Sequence, residues 1–107
     1  MTKEFTINGW GTTYTCKFTG NKTDGLRIVC KSDDFDGWWE PFANFTTAKV
    51  GSGWAIKDYS ENAPWAGNLL VQLEEEGMCE EVGLYPSGFV VMPVVKFTEK
   101  FWEEMVA

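Results

Sequence analysis

Apolar residues recur four apart over one stretch of the chain and two apart over most of the rest. Between Asn62 and Gly77, Trp65, Leu69 and Leu73 fall four apart with Leu70 beside them, while Asn68, Gln72, Glu74 and Glu75 hold the wetter side. Asn62 is a good capping residue, Pro64 stands where a helix start tolerates proline, and Gly77 offers a stop. The spacing therefore predicts one main amphipathic helix over about 63–76. Gly77 suits the left-handed cap conformation, and Met78 just beyond it is placed to fold back on the last turn.

Elsewhere the period is two. Phe5 and Ile7, then Tyr14, Cys16 and Phe18, form two alternating runs joined through Gly9 to Gly11, which predicts a hairpin. A turn cluster from Gly20 to Gly25 leads into a third strand carrying Leu26, Ile28 and Cys30. The run Trp39 to Thr47 reads as a fourth strand that Pro41 pushes toward an edge or a bulge, and Trp54 with Ile56 makes a short fifth. Met78 to Gly88 reads as a loop. Phe89 to Phe97 is apolar on nearly both faces, which predicts a strand that is central or covered twice, with a ladder position missing at Pro93. Thr98 caps a short C-terminal helix over about 99–106 that carries Phe101, Trp102 and Met105. The expected fold is α+β: an antiparallel sheet of five to six strands, the main helix packed on one face, and the short helix closing the chain.

Length and charge sharpen this picture. The 107 residues make one domain, 1–107, and 44% apolar with 23% charged residues is an ordinary globular composition. Six tryptophans lie in a chain that is 16% aromatic, most of them expected in the core and a few as exposed anchors. The net charge of −7 is unevenly placed. Residues 1–57 hold seven Lys or Arg against six Asp or Glu, whereas residues 58–107 hold two against ten. An acidic half repels nucleic acid and anionic membrane and suits a basic protein partner, the plainer reading being glutamate kept for solubility. Three widely spaced cysteines, an N-terminal Met-Thr-Lys-Glu without an apolar signal core, and the lack of any run near the ~18 apolar residues of a membrane helix predict a cytoplasmic protein with reduced thiols. Cys16 and Cys30 lie on apolar strand faces as small hydrophobes.

Candidate chemistry is mostly excluded. With no histidine, nucleophile–histidine pairs, histidine bases and the usual zinc and iron sites are absent. The cluster Asp33, Asp34 and Asp36 lacks the spacing of a calcium loop, and no glycine-rich phosphate loop precedes a helix. No enzyme activity, cofactor or metal is expected. What remains is carboxylate beside large rings: Asp33, Asp34 and Asp36 with Trp38 and Trp39, then Glu74 and Glu75, Glu80 and Glu81, and Glu103 and Glu104. Acidic surfaces with aromatic anchors engage arginine-rich grooves, so these are the candidate partner-binding residues. Lys17, Lys22, Arg27 and Lys31 with Trp10, Tyr14 and Phe18 supply the alternative, a platform for single-stranded nucleic acid. The strong overall acidity speaks against it.

The runs Phe5 to Tyr14, Trp39 to Ala43, Asn62 to Ala66 and Ser87 to Phe89 resemble, over almost the whole chain and in the same order, a domain-of-unknown-function family. Its members are small proteins encoded on conjugative transposons and other mobile elements of Gram-positive gut bacteria. The family has a more basic loop before the Ser-Gly-Phe, where this chain has the acidic Glu80 to Pro86. The resemblance implies a mobile-element setting and carries over no catalytic residue. Together with the charge, it leads to the expectation of a non-enzymatic inhibitor of a host defence nuclease. Such a protein would be anti-CRISPR-like, blocking the basic nucleic-acid-binding surface of a CRISPR-associated nuclease. The alternative is a single-stranded nucleic-acid-binding accessory protein for element transfer.

Overall fold

The computed structural model describes residues 4–9, 11–31, 38–56, 64–88 and 90–106. Strands β1 (Glu4–Gly9), β2 (Thr12–Asn21), β3 (Gly25–Lys31) and β4 (Trp39–Asn44) form one antiparallel sheet in that spatial order. Strands β5 (Thr46–Val50), β6 (Gly53–Ile56), β7 (Cys79–Ser87) and β8 (Val90–Phe97) form a second, ordered β5-β6-β8-β7. Helices α1 (Pro64–Glu75) and α2 (Glu99–Met105) complete an α+β fold. The expected single sheet of five to six strands is thus two sheets of four.

The reason lies at Phe45. The run from Trp39 alternates without a glycine or proline at its middle, so it reads as one strand, yet it leaves the first sheet at Asn44 and joins the second at Thr46. At the corner the Phe45 N–H donates to the Leu26 carbonyl over 3.1 Å, its ring is fully buried, and the Leu26 N–H donates to Thr46 Oγ1 over 2.9 Å. Gly25 lies against this seam at φ +89, where a Cβ would strike Thr46 Oγ1 and come within 3.0 Å of the Trp54 ring. Gly25→Ala should therefore cost roughly 2 kcal/mol or more, the sum of a left-handed backbone and overpacking, read as a lower denaturation midpoint. A loss under about 0.5 kcal/mol would show that the seam yields freely.

Pro41 and Pro93 both sit where a missing N–H is tolerated. Pro41 is opposite Val29 on the edge strand β4, where the β3–β4 register shifts. Pro93 lies in the central strand β8, but the β6–β8 ladder covers only Val94 and Val95 on that strand. The apolar character of both faces of β8 also has a cause. Val95 and Phe97 belong to the main core, while Met92 and Val94 join Ala55 in a second cluster with Ala48, Val50 and Tyr85 packed against it.

Helix α1 buries the predicted stripe, with Trp65, Leu69, Leu70 and Leu73 all in the main core. Its start meets the first sheet, the Trp65 and Phe42 ring centroids being 5.2 Å apart, and Asn68, Leu69 and Gln72 flank Thr6, Ile7 and Asn8 of β1 across a cleft of about 200 Å³. Its far end reaches β7 of the second sheet. The expected cap Asn62 lies outside the described residues. The stop follows the expectation: Gly77 has φ +70, its N–H donates to the Glu74 carbonyl, and the Met78 N–H donates to the Leu73 carbonyl over 2.9 Å. Leu73 and Met78 are both fully buried, completing the motif. The expected loop from Met78 to Gly88 is in fact strand β7, whose alternation is hidden by a bulge between Glu81 and Gly83.

Candidate acidic surface at the end of the first helix

Helix α1 carries its carboxylates at the wrong end for its own dipole. Its first turn holds no acid and its last turn no base, while Glu74, Glu75 and Glu76 follow one another where the exposed carbonyls gather. Anions there are unfavourable, so helix stability does not explain them. The Gly77 cap turns the chain straight into β7, which presents Glu80 and Glu81 a few residues later, both exposed. The same corner receives α2. Thr98 donates through its N–H and Oγ1 to the Met78 carbonyl over 3.0 and 3.2 Å, and its Oγ1 accepts from the Phe101 N–H.

Large apolar side chains lie exposed among these carboxylates. Val71, one helical turn before Glu74 and Glu75, is 53% exposed, and Val82 and Leu84 on β7 are 50% and 66% exposed. Isolated exposed apolar residues are common, but three on adjoining elements around five carboxylates make a mixed acidic and apolar ridge. None of Glu74, Glu75, Glu80, Glu81, Glu103 and Glu104 makes an ion pair with a described residue. Lys96 stands cross-strand from Glu80 in the β7–β8 register and moderates its charge. By contrast Glu99, at the start of α2, is held by Lys22 through contacts of 2.8 and 2.9 Å.

The structure gathers some of the predicted site residues and separates others. Glu74 and Glu75 end α1, and Glu80 and Glu81 open β7 just beyond the Gly77 turn, the register turning Glu80 to the Lys96 face of the strand and Glu81 to the Val95 face. Glu103 and Glu104 are exposed on the last turn of α2, again without a base beside them on that turn. Trp39 opens β4, the strand that meets the start of α1, and Trp38 just precedes it, roughly 18 Å of helix away from the acidic end of α1. Trp38 is 72% exposed, whereas the Trp39 ring lies under the Lys17 ammonium at 4.3 Å. Asp33, Asp34 and Asp36 lie outside the described residues. The aromatic anchors Trp38 and Trp39 were expected beside those aspartates; near Glu74 to Glu81 the exposed apolar side chains are Val71, Val82 and Leu84. Sequence reading missed Val82 and Leu84 because the bulge broke their alternation, and missed Val71 because valine suits either face of a helix.

The cationic residues of the first half are also divided. Cross-strand register puts Lys17, Arg27 and Lys31 with Trp39 and Pro41 on the outer face of the first sheet. Phe18 is fully buried on the inner face and Tyr14 packs against Phe42 at 5.5 Å, so these two rings face away from the cations they were expected to accompany. Trp10 lies outside the described residues. Among the described residues no three His, Cys, Asp or Glu side chains are grouped as metal ligands would be, and no helix is long and apolar enough to cross a membrane. Burial, and then the charge of Glu74, push the Cys79 thiol up to about 12, which makes it inert at neutral pH.

Fold and surface together define an α+β protein of two antiparallel sheets sealed by an aromatic core, with a carboxylate-rich ridge where α1, β7 and α2 meet. Comparison with family models, curated proteins and solved structures finds no match to this chain.

Proposed function

We propose that the chain is a non-enzymatic protein of a mobile element that inhibits a host defence nuclease, of the CRISPR-associated kind, by seating its acidic ridge in a basic nucleic-acid channel. The observation that carries this reading is the placement of Glu74, Glu75 and Glu76 against the α1 dipole, continued by Glu80 and Glu81 and interspersed with exposed Val71, Val82 and Leu84. Carboxylates whose position opposes helix stability, and which no cation among the described residues pairs at Glu74, Glu75 and Glu81, are suited to an external cation. The apolar side chains supply the desolvated centre that charge alone lacks. The resemblance to mobile-element proteins supports the same setting.

The test is to titrate purified RNA-guided nucleases with the chain and to follow both DNA cleavage and co-elution in size-exclusion chromatography. Inhibition with a co-eluting complex is expected. Nucleases that stay fully active in excess protein, with no complex formed, would overturn the proposal.

A further inference from the structure

Cys16 and Cys30 are direct partners in the β2–β3 ladder, and their sulfurs lie 3.0 Å apart in the buried interior. We propose that these two residues are a disulfide-forming pair, joined across the hairpin when the protein meets a disulfide oxidant, with Cys79 remaining a thiol. Residues directly opposite in an antiparallel ladder have Cα atoms ~4.5–5.5 Å apart, within the span a disulfide bridges. From 3.0 Å the sulfurs need approach by only about 1 Å to reach bonding distance, a shift that side-chain rotation supplies without moving either strand. The odd cysteine count, which left no pairing to deduce from sequence, is thereby resolved into a pair and a single thiol.

The chemistry balances with oxidised glutathione as the oxidant. The Cys30 thiolate attacks one glutathione sulfur, releasing one glutathione thiolate and leaving a mixed disulfide on Cys30. The Cys16 thiolate then attacks Cys30 Sγ and expels the second glutathione thiolate. Two protein thiols are oxidised, one glutathione disulfide is reduced, and the two protons end on the released glutathione. Cys30 is the entry point because it keeps 8% of its surface exposed while Cys16 keeps none. The Cys16 thiol has its own acceptor, the Tyr14 carbonyl at 3.7 Å. Burial pushes both thiols up, so exchange on the folded protein is slow near neutral pH and accelerates as the pH rises. A cytosolic glutathione pool keeps the pair as dithiol, and an oxidising compartment closes it.

The experiment is refolding of the full chain in a glutathione redox buffer, in oxidised and reduced arms, followed by thiol titration under denaturing conditions, intact mass and peptide mapping. In the oxidised arm one titratable thiol, a mass lower by two hydrogens, and a cross-linked peptide joining Cys16 to Cys30 are expected. The melting temperature should rise by on the order of 10 °C, as closure of a loop of about 15 residues implies. The Cys79→Ser variant should give the same cross-link with no free thiol. Three free thiols in the oxidised arm, a retained glutathione adduct, or a cross-link to Cys79 would each overturn the proposal.

Discussion

Phe18→Ala is expected to remove about 3–5 kcal/mol of stability, a large share of the ~5–15 kcal/mol that holds a domain folded. Phe18 extends from β2 into the middle of the molecule and is fully buried. Its ring centroid lies 4.7 Å from that of Phe5 on β1, 5.4 Å from Phe45 at the corner between sheets, and 5.3 Å from Phe101 on α2. A parallel bridge also ties its backbone to Val106 after the last helix. Removing the ring opens a cavity bordered by β1, the corner at Phe45 and α2, which cannot all close on it, and forfeits three ring contacts worth ~0.5–1.5 kcal/mol each beyond burial. Urea denaturation of the variant should show either a much lower midpoint or no cooperative transition. Phe42→Ala, at a half-buried ring on the edge strand, should cost distinctly less. Equal losses at the two positions would mean that the core is not centred on Phe18.

The second large effect concerns the ridge. The triple variant Glu74→Lys, Glu75→Lys, Glu81→Lys should weaken binding to a basic partner by about a hundredfold or more, because like charges brought together at an interface cost several kcal/mol. The same change should leave the fold intact and raise the melting temperature slightly, since a lysine at position 75 complements the α1 dipole that the glutamate opposes. Loss of function with gain of stability is the signature of carboxylates kept for a partner. Were the glutamates present only for solubility, the triple variant would bind as the parent does.

Much of the architecture could be read from residue patterns, because those elements are set locally. The end of α1 was legible from Gly77 and Met78 alone, as a left-handed glycine followed by an apolar residue leaves the chain one favourable exit. Thr98 announced α2, which ends at Met105, one residue short of the expected bound. Pro41 marked an edge strand with a register shift, and Pro93 a position outside the β6–β8 ladder. The division into two sheets was not legible, since it depends on Phe45 and Thr46 meeting Leu26 some twenty residues earlier, a tertiary contact that alternation does not encode. Strand β7 was hidden by its bulge and by Glu80 and Glu81, the same features that protect an edge strand from pairing with other chains.

The candidate site was legible in its charge and not in its apolar part. Counting glutamates located the acidic half, and contiguity placed Glu74, Glu75, Glu80 and Glu81 on either side of one turn. Which rings face outward is decided by packing. Trp65 and Trp54 are buried, Trp39 is covered by Lys17, and the exposed apolar side chains of the ridge are aliphatic.

The central claim, that the ridge exists to meet a cationic macromolecule, is tested most directly by the affinity of the chain for an inhibited nuclease as a function of salt. The prediction is a dissociation constant that rises steeply with ionic strength for the parent, with the triple charge reversal binding weakly at every salt concentration. Tight binding that ignores salt and survives the reversal would contradict it.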